Sequence, residues 1–210
     1  MKVAIVSEFT ADEAAIKILV DAVVGRETHL VSSPKLRPKG WPSVLNLLPS
    51  IIKHLHYNSD AHGLAVVVDS DDSPLHNESH EFTSQENQSC RLCALRHVVE
   101  REKSRLSAVA NRTGIKTAIG VAIPSMEAWY HCGLDTHVNE NTWGRRLRGE
   151  RVTYDRQSLK NSIYLSDRAP IFAKTQIACN AAKRLVTNLE LLKEHFPIGF
   201  GCFVKDLKSW

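Results

Sequence analysis

The feature that constrains the fold most is an apolar run that ends abruptly in acidic residues, "GLAVVVDSDD", from Gly63 to Asp72. A short continuous run of this kind is typical of a strand buried on both faces, as in parallel sheets covered by helices. Open α/β sheets bind their ligands at the carboxyl ends of such strands. The run therefore predicts a parallel sheet with a site at its edge.

The rest of the chain alternates between strand and helix patterns. Further strands are predicted at residues 2–6, 28–32 and 115–124. Helices are predicted at 11–25, 43–57, 90–114, 125–133, 173–196 and 199–210. This alternation predicts an α/β fold with a mainly parallel sheet flanked by helices. We expect one domain over residues 1–210, carrying an acidic loop after the third strand and a basic arm inserted at about 141–168.

Composition and charge limit the class of protein. Hydrophobic residues make up 43% and charged residues 24% of the chain, as in ordinary globular proteins. Neither a signal peptide nor an apolar run near 18 residues occurs, so we expect a cytoplasmic protein without membrane contact. The net charge of +4 is uneven: no Lys or Arg lies between Lys53 and Arg91, whereas 141–160 carries six. This arrangement fits cations at one place and a polyanion at another.

Acidic side chains follow three of the predicted strands. Glu8 follows the first strand, Asp69 and Asp71 the third, and Glu127 the fourth. If the third strand stays extended to Asp71, the two aspartates project to the same side, about 6 to 7 Å apart. Carboxylates that close repel each other, and a hard divalent cation relieves the repulsion. The alternative is a solvated Asp-rich turn.

Several of these segments resemble a known family. The segments "VSEFTADEAAI" and "VVVDSDD" resemble the Toprim domain of primases, topoisomerases and OLD-type nucleases, in which a Glu closes the first strand and Asp-x-Asp a later one. The segments "VAIPSMEAWYHCGLD" and "FGCFVKDLKSW" are similar to stretches of small stand-alone Toprim-like proteins, often found in anti-phage or mobile-element settings. The matching islands are short but span most of the chain.

The resemblance implies a Rossmann-like Toprim fold and a nuclease that hydrolyses DNA or RNA with Mg²⁺ or Mn²⁺. It implies catalytic roles for Glu8, Asp69 and Asp71. Metal ligands would be the same three residues together with Asp72 and Glu127. Candidate nucleic-acid contacts are Arg145, Arg146, Arg148, Arg151 and Lys174.

Other functions use the same residues. A non-catalytic Toprim-like adaptor or sensor would instead bind a partner protein, such as the ATPase of a defence complex. A small-molecule phosphohydrolase would share the carboxylates. The basic arm fits either nucleic-acid contact or docking of a partner protein. Trp129 and Trp143 flank it and are candidates for base stacking, although we expect Trp129 in the core.

A second set of candidate metal ligands lies between the third strand and the next helix. The segments "HNESHE" and "CRLC" supply His76, His80, Cys90 and Cys93, and Cys-x-x-Cys is a common zinc-binding pattern. The nine-residue gap between His80 and Cys90 is atypical for zinc. The cysteines also fit apolar positions of the predicted helix, and this reading, without zinc, is the one we favour.

Overall fold

Four parallel strands form the centre of the protein. In a computed structural model that describes residues 1–31, 40–81, 89–110, 112–164 and 169–210, the strands are β1 (Lys2–Ser7), β2 (His29–Leu30), β3 (Gly63–Asp69) and β4 (Lys116–Ala122). Their order is β2-β1-β3-β4, and every neighbouring pair is parallel. The predicted α/β class and parallel sheet are confirmed, and β3 has the bounds of its apolar run.

Helices cover both faces of the sheet. They are α1 (Thr10–Val24), α2 (Trp41–Asn58), α3 (Arg91–Ser104), α4 (Met126–His131), α5 (Glu140–Leu147), α6 (Arg156–Tyr164), α7 (Ile171–Val186), α8 (Leu189–His195) and α9 (Gly199–Lys208), with a 3₁₀ turn at Glu78–Glu81. Helix α1 packs on α7 and α9, whereas α2 packs on α3. Right-handed crossovers place α1 and α2 on opposite faces. None of the described helices combines the length and the apolar character that crossing a membrane requires.

The helix predicted over 90–114 is wrong in extent, because α3 ends at Ser104. Beyond it, the chain bonds to α2 instead of continuing its own helix. Ser107 N–H donates to the Tyr57 hydroxyl at 2.9 Å, and Ser107 O contacts His56 Nε2 at 2.9 Å. Tertiary hydrogen bonds have therefore replaced the intrahelical ones that the apolar pattern suggested.

The helix predicted over 173–196 is divided into α7 and α8. Two polar side chains at the junction bond to the backbone of α7: the Thr187 hydroxyl donates to Arg184 O at 2.8 Å and Asn188 Nδ2 to the same oxygen at 3.3 Å. Such side chains compete with the next helical hydrogen bonds and favour a break.

The basic arm is folded rather than extended. Residues 141–164 contribute to α5 and α6, and 165–168 lie outside the described residues. Trp143 is fully buried and stacks on the buried Tyr154, with ring centroids 5.9 Å apart. The suggestion that Trp143 could stack on bases is therefore wrong, and Trp129 is buried as expected.

Helix α9 begins in close contact with the end of β4. A Cβ added at Gly199 would lie 2.0 Å from Val121 O and 3.1 Å from Glu140 Oε1. The buried Glu140 carboxylate accepts the N–H groups of Ile198 at 2.9 Å and Gly199 at 2.6 Å, and so caps the helix. Burial raises the pKa of Glu140 to about 7. Only glycine fits this contact without moving β4.

Gly199→Ala should lower the free energy of unfolding by about 3 kcal/mol, because the new methyl group overlaps a backbone oxygen of the sheet. Gly201→Ala is the matched control in the same helix, since its Cβ would meet Lys193 Cγ at 3.7 Å, an ordinary contact. The control should gain up to about 1 kcal/mol from helix propensity. Urea unfolding measures both variants, and equal stabilities would contradict the close approach.

Candidate functional site

The candidate site lies where the sheet changes its direction of growth. Strand β2 adds to one side of β1, whereas β3 and β4 add to the other. Connections leave such a point in opposite directions and open a crevice at the carboxyl ends of the strands. Glu8 directly follows β1, and Asp69 is the last residue of β3. Both predicted acidic residues therefore stand at the crevice.

The chain turns sharply after Asp69. Asp71 has a φ of 50°, in the left-handed region that Asp tolerates better than most residues. The N–H groups of Ser70 and Asp71 donate to Pro124 O at 3.1 and 3.0 Å. The expectation of an extended strand with both carboxylates on one side is therefore wrong. Asp69 and Asp71 lie in different surroundings.

Asp69 belongs to a group of crowded carboxylates. Its Oδ1 accepts the Met126 N–H at 3.0 Å, and its own N–H donates to Glu8 Oε1 at 3.1 Å. Glu127, in the first turn of α4, is buried, and no described group donates a hydrogen bond to its Oε2. Burial, and then the negative charges of Glu127 and Glu8, hold the pKa of Asp69 well above its ordinary range. The pKa of Glu8 is also raised, chiefly by burial.

A further acidic residue, Asp12, joins this group and was not predicted from the sequence. It is buried in the first turn of α1, where its Oδ1 accepts the Tyr130 hydroxyl at 2.8 Å. Burial, and then the charge of Glu127, raises the pKa of Asp12 to about 7. Burial and Asp12 also raise the pKa values of Tyr130 and Tyr164. Asp12 lies four residues after Glu8, but that spacing also fits an ordinary acidic helix start.

Asp71, in contrast, is balanced by two arginines. Arg91 Nη2 and Arg156 Nη2 pair with its two carboxylate oxygens. Arg91 Nη1 also donates to Asp69 O at 2.6 Å and to Glu8 Oε1 at 3.2 Å. The Arg91 guanidinium carbon lies 4.9 Å from the ring centroid of Trp41. Both arginines were missed, because only the tertiary fold brings them to Asp71.

The predicted basic residues divide into paired and packed groups. Arg145 Nε lies 2.8 Å from Glu150 Oε2, and Arg148 Nη2 lies 3.8 Å from Glu150 Oε1. Arg146 donates to a backbone oxygen and packs over the ring of Trp143 at 4.6 Å. Arg151 is exposed. None of these described contacts joins the arginines to the acidic group of the crevice.

Lys174 packs near the crevice, whereas Asp72 is exposed to solvent. Lys174 Nζ lies 5.7 Å from the ring centroid of Phe9, the residue after Glu8, and 5.6 Å from that of Tyr164. Asp72 is exposed at the turn after β3. The structure therefore brings Lys174 towards the acidic group, whereas Asp72 as a metal ligand stays a prediction.

The His–Cys group consists of His76, His80, Cys90 and Cys93. Among the described His, Cys, Asp and Glu side chains, it is the set of three or more that could hold a metal ion, with all ligand atoms within 4.8 Å of one another. Cys93 Sγ lies 3.2 Å from His76 Nδ1 and 3.8 Å from His80 Nδ1, and Cys90 Sγ lies 3.9 Å from His76 Nδ1. The predicted apolar positions of the cysteines are confirmed, since Cys90 lies in the hydrophobic core and Cys93 packs against it. Their sulfur atoms also lie close to the histidines, so the group could hold a metal ion.

Comparisons of this chain with protein-family models, with curated proteins and with solved structures found no match. The site is therefore interpreted from its own geometry and charges.

The raised pKa of Asp12 predicts a pH-dependent stability. Between its ordinary pKa of 3.8 and about 7, the folded state holds the proton that the unfolded state releases. The free energy of unfolding should therefore fall as the pH rises from about 4 to about 7, by up to about 1.4 kcal/mol per pH unit from this one group. Asp12→Asn keeps an acceptor for Tyr130 but cannot ionise.

Unfolding of wild type and Asp12→Asn should be measured between pH 4 and pH 8. We expect the two curves to converge near pH 4 and the variant to be the more stable protein at pH 8. Parallel curves over the whole range would show that Asp12 is not held neutral by its burial.

Proposed function

We propose that the protein is a Toprim-type nuclease that hydrolyses phosphodiester bonds with Mg²⁺ or Mn²⁺ at the carboxylates of Asp69, Glu127 and Glu8. The observation that carries this proposal is the crowded acidic group at the crevice between β1 and β3. Two of its members, Asp69 and Asp12, have raised pKa values, and no cationic side chain among the described residues bonds to their carboxylates. Such groups are typical of catalytic sites.

The chemistry of the crevice carboxylates fits a hard divalent cation, although among the described side chains the His–Cys group, and not these carboxylates, is already spaced to hold a metal ion. The metal-ligating atoms that Glu8, Asp69 and Glu127 offer are carboxylate oxygens, which Mg²⁺ and Mn²⁺ prefer. Glu127 Oε2 is buried, with no hydrogen bond from any described group. When bound, the cation supplies charge neutralisation for the phosphate and a lower pKa for a coordinated water.

The side chains around the cation have distinct proposed roles. Glu8 accepts the proton of the attacking water, because its pKa is raised while its side chain stays 17% exposed. Arg91 and Arg156 donate hydrogen bonds to phosphate oxygens and stabilise the charge that develops there. Asp71, bonded to both guanidinium groups, orients them. This role replaces direct catalysis by Asp71.

The position of the basic arm supports a polyanionic substrate. Trp143 Nε1 of α5 donates to Asp71 O at 3.2 Å, and Arg156 of α6 pairs with the Asp71 carboxylate. The two helices that carry the basic residues are thus anchored on the turn beside the acidic crevice. A nucleic-acid backbone held by Arg145, Arg148 and Arg151 would pass close to this turn.

A second candidate is the non-catalytic adaptor, which would bind a partner protein such as a defence-system ATPase. The ion pairs of Arg91 and Arg156 favour it, because they neutralise Asp71 without a metal ion. Metal binding separates the two candidates, since only the nuclease requires a cation at Asp69.

Calorimetry with Mn²⁺ tests the cation site on wild type, Asp69→Asn and Asp60→Asn. Asp69→Asn keeps the acceptor for the Met126 N–H but removes one charge, so it should weaken binding at least tenfold, about 1.4 kcal/mol. The same variant should be more stable than wild type without metal, because carboxylate repulsion is reduced. Asp60, 63% exposed beside Lys2 at the opposite edge of the sheet, is the control and should bind as wild type.

Cleavage assays then separate the activities. We expect wild type with Mn²⁺ to cleave at least one of single- or double-stranded DNA or RNA, and Asp69→Asn to cleave none. Metal binding with cleavage of only a simple phosphate ester would identify a phosphohydrolase. Absence of both binding and cleavage would overturn the nuclease and leave the adaptor.

A further inference from the structure

The His–Cys group, which could hold a metal ion, includes the two cysteines on either side of Arg91. We propose that His76, His80, Cys90 and Cys93 bind one structural zinc ion, and that this ion fixes Arg91 against Glu8 and Asp71. The zinc site lies outside the acidic group and does not depend on the hydrolytic activity proposed for it.

The donor set selects zinc over the harder cations. Two imidazole nitrogens and two thiolates suit Zn²⁺, whereas Mg²⁺ and Mn²⁺ prefer oxygen ligands. Four protein ligands close the coordination sphere, which is typical of structural rather than catalytic zinc. Cys90 is only 2% exposed, and the other three side chains are partly buried.

The distances match a tetrahedral ion. With Zn–S near 2.3 Å and Zn–N near 2.0 Å, neighbouring ligand atoms around a tetrahedral zinc lie about 3.3 to 3.8 Å apart. Three nitrogen–sulfur separations in the structure, His76–Cys93, His80–Cys93 and His76–Cys90, are 3.2, 3.8 and 3.9 Å. These three separations are within a few tenths of an ångström of the required values, and all four ligand atoms lie within 4.8 Å of one another.

The proposed zinc ligands lie close in sequence to both residues of the Arg91–Asp71 ion pair. Arg91 lies directly after the ligand Cys90 and within the Cys90–Cys93 pair, at the start of α3. On the other side, Asp71 lies five residues before the ligand His76. A zinc ion would therefore join the segment after β3 to the first turn of α3, and hold the two ends of the Arg91–Asp71 pair together.

The contacts of Arg91 explain why its position matters. Its side chain is 11% exposed and reaches Glu8, Asp69 O and Asp71 from the N-terminus of α3. A shift of α3 by about 1 Å would break these hydrogen bonds, since such bonds weaken steeply with distance and angle. The zinc ligands are positioning residues in this account, because they act through Arg91.

Metal analysis tests the zinc site directly. Untagged chain, purified under reducing conditions without chelator, should carry about one zinc per chain, as the four-ligand site requires. Cys93→Ser and His80→Ala should lose most of it while staying folded by circular dichroism. Cys179→Ser and His137→Ala are controls at other positions and should keep it. Wild type that takes up no zinc, or ligand variants that retain it fully, would overturn the site.

Replacement of zinc by Co²⁺ tests the geometry. The expected visible spectrum is that of tetrahedral cobalt with thiolate charge transfer, lost in Cys93→Ser. An octahedral cobalt spectrum would contradict the site as proposed.

A thermodynamic cycle tests the link to Arg91. The shifts in melting temperature of Arg91→Met, Cys93→Ser and the double variant should be non-additive, because loss of zinc already releases the Arg91 contacts. If Cys93→Ser fails to fold, wild type and Arg91→Met are compared before and after zinc removal by a chelator. Additive shifts would overturn the positioning role even if zinc binds.

Discussion

Parallel pairing of β1 with β3 is the constraint on which the site depends. The register pairs Ser7 with Val67, so Glu8 and Asp69 leave the sheet at the same edge. Pairing of β1 with β2 on its other side makes this edge the point where the crevice opens. The buried valines of β3 hold the strand in the centre of the sheet, because helices cover both of its faces. The carboxylates are thus held together by the packing of apolar residues behind them.

That arrangement concentrates negative charge at a cost to stability. Asp12 and Glu127 are buried and close to Asp69, and each carboxylate raises the free energy of ionising its neighbours. Within the described parts of the chain, arginine side chains bond to the carboxylates of Asp71 and Glu8 but not to those of Asp69 or Asp12. Buried charges are ordinarily paired with an opposite charge or bound to a metal ion, and departures from this rule concentrate at functional sites. This departure is the main physical reason to regard the crevice as functional rather than structural.

The sequence predicted the parts of the site that depend on local pattern. The apolar run identified β3 residue for residue, and Glu8, Asp69 and Glu127 were placed at strand ends by the same reasoning. Arg91 could not be found this way, because its contact with Glu8 spans 83 residues of the chain. The pairing of Asp71 with arginines was missed for a related reason: the left-handed turn at Asp71 depends on hydrogen bonds to Pro124, which no local pattern reports.

The His–Cys group illustrates how the same residues can fit both an apolar helix stripe and a set of metal ligands. Cys90 and Cys93 fit the apolar stripe of a helix, and the long gap after His80 argued against shared ligation. In the structure Cys90 precedes α3 and Cys93 lies in its first turn, where side chains can face the segment before the helix as well as the core. The apolar pattern placed the start of this helix within one residue, but it does not report which side chains of an earlier segment pack against the first turn. Arg91 lies between the two cysteines, and its contacts with Glu8 and Asp71 were missed because both partners are distant in the sequence.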